Sequence, residues 1–474
     1  MMRKSLIILV CMCTLTVMYA VKPVTIQGKL TFARSGVVRV YVYQDRISYQ
    51  KKQIQQASVD ENGNFTLQLQ LQETTPVEIA YNNTYGSLIA EPEHAYNIHI
   101  TTDSALIGRI DADMSGNYLQ IKFVHPDTSE LNHKIWRFNR YYNYFLDNYA
   151  DALLQGMEPA TYDSLLQLLK TRFPDVYIPT DYYSAYVHYR YADLDLLFYS
   201  KEKEKVYQQY LSGEYVHYNN IAYMDFFHHF FENHIYGASK YISISTLHED
   251  INKKRNYYKL FDDMGADPLL VNEIIREMVI IMGLGELYGN EEFSNYNIVH
   301  LLQQLKAYTK FEEHKIMAEN MIVACTALQT GSKAPDFCLR DVYNNEVHLH
   351  DFKGKYVYLH MFATYSASTI REMLILKDMY QQYKDSLEVV SVMLDFEYSK
   401  LYHFVSEFQD FDWTFLHCNG DFSFIDAYKA YALPLGVLID SEGKIVSYPA
   451  KSLSGGLLVQ IYTIFPALGE KIRR

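Results

Sequence analysis

Residues 362–373 read FATYSASTIREM. They close an apolar run, YVYLHMFA at 356–363, and open a segment with the character of a helix at about 367–386. The expected local structure is a buried strand that turns directly into a helix. The four-residue window at that turn is Ser366-Ala367-Ser368-Thr369, with a hydroxyl residue at each end. What such a turn does depends on the elements around it.

Upstream, GSKAPDFCLRDVYNNEVHLHDFKGK (331–355) gives two short strands around the Asn344-Asn345 turn. Downstream, LEVVSVMLD (387–395) reads as a second buried strand and SKLYHFVSEF (399–408) as a second helix. WTFLHC (413–418) is a further strand, followed by a short helix near 422–431. LGVLID (435–440) and KIVSYPA (444–450), joined through SEGK, form a hairpin, and a last helix covers about 454–465. Alternating strands and helices that end in a hairpin and a helix predict a mixed, helix-covered sheet over 331–474.

This order resembles a thioredoxin fold, and more closely the exported TlpA/ResA-like thiol-disulfide oxidoreductases. GSKAPDFCLRD (331–341) is similar to the family's opening motif of Gly, Ala-Pro and Phe. HLHDFKGKYVYLHMFATY (348–365) resembles its lead into the active site. IREM (370–373) resembles the residues after the redox motif, and ALPLGVLIDSEGKI (432–445) the cis-proline strand and its turn. The likeness covers about 140 residues, under a third of the chain.

The resemblance implies a Trp-Cys-x-x-Cys motif where this chain has Tyr365-Ser366-Ala367-Ser368-Thr369. In the family, the first cysteine sits at a helix N-terminus, where unpaired N–H groups and the helix dipole stabilise a thiolate. The second cysteine resolves the mixed disulfide. A serine hydroxyl is far less acidic than a thiol and forms no disulfide. Tyrosine also replaces tryptophan, alanine replaces the usual proline in the window, and Leu374 stands where the family often has a proline. Glu372 matches a family glutamate near the cysteines, and Pro434 the cis-proline beside which a substrate peptide pairs. Glu372, Leu433 and Pro434 are therefore the groove candidates, and no catalytic residue, metal or cofactor is assigned. Serine catalysis through Ser366 or Ser368, with His360 as base, has no G-x-S-x-G elbow to support it.

The rest of the chain has two other textures. Residues 22–103 alternate as strands do, in VTIQGKL, VVRVYVYQ, FTLQLQLQ and TPVEIAY, with turn chemistry in DENGN (60–64). About seven short strands fit, which predicts a small β-sandwich, similar to a module that precedes such domains in exported Gram-negative proteins. From about 117 to 330 apolar residues recur at three and four, as in SLLQLLKTRF (164–173) and VNEIIREMVIIM (271–282), with prolines between runs. Eight to ten helices are expected. The fold class is thus multidomain α+β: signal peptide 1–20, β-sandwich 22–110, all-α region 115–330 and thioredoxin-like α/β domain 331–474.

Within the helical region, FFHHFFENH (226–234) places His228 and Glu232 four apart with His234 nearby. Flanking phenylalanines favour packed amphipathic residues over metal ligands there, and the same reading applies to His348 and His350. The 44 tyrosines can pack a helical array and still hydrogen-bond.

MMRKSLIILVCMCTLTVMYA (1–20) has a short basic start, an apolar stretch and a small residue at its end, the pattern of a signal peptide. Cleavage near Ala20 is expected. Lipid attachment at Cys11 or Cys13 is the lesser alternative, because Val10 and Met12 precede them. No later run of some 18 apolar residues predicts a membrane span. The chain carries net charge −13, and losing Arg3 and Lys4 leaves 41 basic against 56 acidic residues, a net −15. NKKRNYYK (252–259) is too short a basic tract to offset that, so nucleic acid is not an expected partner. Cys325, Cys338 and Cys418 remain, an odd number that is no disulfide framework. The expected function is non-catalytic binding of an extended peptide or envelope protein in the periplasm. The rival is a thiol-disulfide oxidoreductase acting through Cys338 or Cys418.

Overall fold

The computed structural model describes residues 21–465, apart from 33–34, 82–83, 103–118, 125–126, 214, 365–366, 396–397, 419–421, 431–432 and 452–455. Of residues 84, 102, 367–369 and 422–423 it describes only the backbone. The expected signal peptide lies outside the described residues.

The first region is a pair of four-stranded sheets. Its strands are β1 (Lys22–Leu30), β2 (Val37–Tyr43), β3 (Lys51–Ser58), β4 (Asn64–Leu71), β5 (Thr75–Tyr81), β6 (Thr84–Ala90), β7 (Ala95–Thr102) and β8 (Leu119–Phe123). The sheets run β4-β1-β7-β8 and β3-β2-β5-β6. Alternation is the cause: along NFTLQLQL in β4, every second residue is buried, and its partners on the other sheet include Val38, Val40 and Ile79. β8 corrects the sequence reading, which started the helical region at 115. Leu119–Phe123 instead pairs antiparallel with β7 and completes the sheet.

Ten α-helices follow among the described residues: α1 (Leu131–Gln155), α2 (Pro159–Arg172), α3 (Tyr182–Phe198), α4 (Lys203–Tyr210), α5 (Ile221–Phe231), α6 (Ile244–His248), α7 (Tyr257–Met264), α8 (Glu273–Leu287), α9 (Asn295–Tyr308) and α10 (Glu312–Thr326). Short polar side chains start six of them. Asp181, Asn220, Ser243, Asn256, Asn272 and Ser294 each accept a backbone N–H from the first turn of the helix they precede. Gly156 ends α1 in the left-handed region, with φ 96°. The core is aromatic: Phe226, Phe227, Phe230 and Phe231 of α5 are all fully buried. Its tyrosines bond internally as well as at the surface. Tyr162 and Tyr210 donate to the buried Asp195 at 2.5 and 2.6 Å.

The C-terminal region contains β9 (Cys338–Asp341), β10 (Glu346–His348), β11 (Tyr356–Phe362), α11 (Ala367–Tyr383), β12 (Leu387–Met393), α12 (Tyr398–Glu407), β13 (Thr414–His417), α13 (Phe422–Ala427), β14 (Leu435–Ile439), β15 (Ile445–Ser447) and α14 (Leu457–Ile464). They form one seven-stranded sheet, β10-β9-β13-β12-β11-β14-β15. β11, β12 and β13 are mutually parallel, and the remaining pairings are antiparallel. Both faces are covered, so β11 and β12 are apolar nearly throughout. Leu359 and Met361 face α13, whereas Tyr358 and Phe362 face α11, α12 and α14. No helix among the described residues is long and apolar enough to cross a membrane.

Candidate functional site

Parallel β11 and β12 place their C-terminal ends side by side, the usual location of a site in such a sheet. α11 starts five residues beyond β11, at Ala367. β14 begins opposite Met361, so the Leu433–Pro434 bond falls at this same end of the sheet. That bond is cis, and both residues are half-buried. The backbone of Ala367, Ser368 and Thr369 forms the first turn of α11. Tyr365 and Ser366 lie outside the described residues. The turn and the proline thus share one end of the sheet, as the resemblance implies.

The approach to the window is held by a residue that sequence reading missed. Asp395 follows β12, and its side chain is 1% exposed. It accepts the Thr364 N–H at 2.6 Å, the Thr364 hydroxyl at 2.7 Å and the Lys400 ammonium at 3.2 Å. An acid that ends an apolar strand at the sheet's C-terminal edge was the available signal.

Beneath the window is a polar pair, His360 buried and Glu372 half-buried. His360 of β11 is 1% exposed, and its Nε2 stands 3.9 Å from Glu372 of α11. Its Nδ1 lies 3.4 Å from Ser391 Oγ, which also accepts the Trp413 indole N–H at 2.9 Å. Burial pushes the His360 pKa down to about 4 and the Glu372 carboxyl up. Burial, then the nearby Glu372 charge, raises the Tyr358 phenol. Gly436 faces His360 across the β11–β14 ladder, and a Cβ there would come within 2.5 Å of the Tyr358 hydroxyl. His360 therefore points into the α11 side of the core, where it cannot reach solvent as a general base.

The thiols are not alike. Cys338 is exposed at the head of β9, and Cys418, after β13, is 1% exposed. Cys325 of α10 is buried, and burial pushes its thiol up to about 11, away from the reactive thiolate. The three histidines of FFHHFFENH face three different partners. His228 Nε2 donates to the Arg46 carbonyl at 2.6 Å, His229 Nδ1 bonds Asp193 at 3.0 Å, and His234 Nε2 bonds Asp267 at 2.9 Å.

Residues 330–448 match the AhpC/TSA family, which places the C-terminal region in the thioredoxin-fold class. A ResA thiol-disulfide oxidoreductase of Geobacillus thermodenitrificans is 31% identical over 128 residues, covering 27% of this chain and 72% of the relative. A ResA of Bacillus thuringiensis subsp. konkukian is 28% identical over 120 residues, 25% of this chain and 68% of its own. Through this region the chain belongs to the ResA/TlpA-like family. Among solved structures it is similar to the thioredoxin domain of a Bacteroides vulgatus thiol-disulfide oxidoreductase (26% identity, 29% of this chain, 98% of that one, TM-score 0.27). It is also similar to a thiol:disulfide interchange protein from a Bacteroides species (28% identity, 29% and 90%, TM-score 0.26).

Proposed function

We propose that this is an exported, periplasmic protein whose C-terminal domain has given up dithiol exchange and binds an extended peptide or an envelope protein. One observation carries the reading: Ser366 and Thr369 stand where the family's two sulfurs would be, in a region that keeps the family's opening motif and cis-proline strand. The helix end that activates a thiol cannot bring a serine hydroxyl to comparable acidity, because the thiol starts from a pKa of about 8.5. Strand-type recognition needs only main-chain groups, so a groove beside Leu433 and Pro434 survives loss of the cysteines. The helical region that follows the sandwich supplies much of the contact surface. Residues 1–20 supply the export signal.

The test is insulin reduction by the purified protein with dithiothreitol, compared with an active thioredoxin. No acceleration over the uncatalysed rate is expected; turnover comparable with thioredoxin overturns the proposal. Binding is tested by capture from native envelope extracts, where Leu433→Trp should remove the partner that the unaltered protein retains.

The exposed position of Cys338 favours one rival, a thiol-disulfide oxidoreductase using Cys338 or Cys418. Replacing both by serine separates the two. Activity that survives the double change excludes these thiols.

A further inference from the structure

The hairpin that opens the C-terminal region gathers metal-binding side chains far along the sheet from β11. β9 and β10 pair antiparallel with His348 opposite Cys338. Asp336 lies two residues before β9, and His350 lies in the short 3₁₀ turn Leu349–Phe352 just after β10. The hairpin therefore brings an aspartate and two imidazoles together from three consecutive pieces of chain. One donor atom of each lies within 4.8 Å of the others. His350 Nδ1 is 2.9 Å from Asp336 Oδ2, and the two imidazoles stack with centroids 4.7 Å apart.

We propose that Asp336, His348 and His350 form a surface site for a divalent transition-metal ion of the zinc class. Two imidazole nitrogens and a carboxylate oxygen are a common zinc donor set. With metal–ligand distances of about 2.1 Å, tetrahedral ligand atoms sit about 3.4 Å apart. Asp336 and His350 are exposed and His348 is half-buried, so rotations of the aspartate and His350 side chains close the remaining distance without moving the strands. The ion takes the place of the His350–Asp336 hydrogen bond, with the ring proton of His350 carried on Nε2, and water fills the fourth position. Protons compete with the ion for the same ligand atoms, so binding weakens in acid.

A second trio, Cys338, Glu346 and His348, also has its donor atoms within 4.8 Å of one another and shares His348. It is the poorer site. Glu346 is already bonded to the Arg340 guanidinium at 2.7 Å, so a cation there must break an ion pair and then sit beside a fixed positive charge.

The full chain, stripped of metal with a chelator and dialysed, is titrated with Zn²⁺ by calorimetry and with Co²⁺ by absorption. One equivalent should bind with a dissociation constant in the micromolar range or tighter. His348→Ala and Asp336→Asn should each weaken it at least tenfold. Glu346→Gln and Cys338→Ser should change it less than twofold, and bound Co²⁺ should show no thiolate charge-transfer band. Unchanged circular dichroism of each variant separates lost ligation from lost folding. Absence of saturable binding, or binding indifferent to His348→Ala, overturns the site. So does a thiolate band abolished by Cys338→Ser, which would assign the ion to the other trio.

Discussion

His360 Nε2 and the Glu372 carboxylate stand 3.9 Å apart beneath the second turn of α11, and no hydrogen bond among the described residues reaches that nitrogen. Burial acts against charge on both groups, pushing His360 down to about 4 and Glu372 up. The signs oppose. Between about pH 4 and 6.5 the unfolded chain takes a proton that buried His360 refuses, so stability falls as pH drops through that window. Glu372 holds its proton longer when folded, and the stability it adds at low pH is lost as pH rises through its raised value. The His360 shift is worth up to about 3 kcal/mol. In a Trp136→Phe background, Trp413 alone reports urea unfolding of this domain. His360→Phe should flatten the decline from pH 6.5 to 4; an unchanged slope would place the imidazole in contact with water.

Asp395 fixes the segment just ahead of the window. Asp395→Ala removes the acceptor of the Thr364 N–H and hydroxyl, and should destabilise the domain by about 2–3 kcal/mol. Thr364→Val removes only the hydroxyl bond and should cost about 1 kcal/mol. Hydrogen exchange at the Thr364 amide is the direct measurement. It should speed markedly in Asp395→Ala and little in Thr364→Val. Equal protection in all three proteins would show that the carboxylate does not hold this loop.

The legibility of the sequence followed the range of the interactions. Strand β11, the start of α11 and the 435–447 hairpin are local patterns, and each was expected within a few residues of its observed span. The alternation in β4 announced a half-buried strand, but not that β1 pairs with β7 in parallel, which joins residues some 70 positions apart. LQIKF in β8 is too short for its period to be told from a helix start. The setting of His360 depends on the register that puts it across from Ser391 and Gly436, and no spacing within either segment encodes that. Asp395 was hidden for the same reason: its partner Thr364 sits on the neighbouring strand's end. The kinked turn His234–Ala238, with Gly237 at φ 101°, and the π-helical turn Glu249–Lys254 interrupt the helical period with no proline to announce them.

In the helical region, Glu277 of α8 collects three donors. Tyr257 OH is 2.7 Å away, Thr309 Oγ1 2.5 Å and His314 Nδ1 2.7 Å, which ties α7, the α9–α10 turn and α10 to one carboxylate. Burial opposes its ionisation, but the bonds from His314, Thr309 and Tyr257 outweigh that and hold the carboxyl below its ordinary value. Its contribution is therefore present at neutral pH and lost only as pH falls through that lowered value. Glu277→Ala strands all three donors and should cost about 3–5 kcal/mol. Glu277→Gln keeps one acceptor and should cost about 1–3 kcal/mol. Chemical denaturation followed by far-ultraviolet circular dichroism measures both, and a Glu277→Ala loss below that of Glu277→Gln would contradict the network.

The loop between β2 and β3 ties the sandwich to the helices. Asp45 accepts the Ile47 N–H at 2.9 Å and the Ser48 N–H at 2.6 Å, and its other oxygen accepts Asn320 Nδ2 of α10 at 2.7 Å. Held in that shape, the loop inserts Ile47 into the helical core and offers the Arg46 carbonyl to His228. The carboxylate shapes the loop while the isoleucine supplies the apolar contact, so the two should be separable by mutation. Asn320→Ala removes one bond to a charged acceptor and should cost about 1.5–3 kcal/mol, without changing the number of transitions. Ile47→Asp puts an unpaired charge into an apolar contact and should uncouple the two regions. Calorimetry would then show the sandwich melting apart from the helices. A single unshifted transition in Ile47→Asp would mean that the loop is not what joins them.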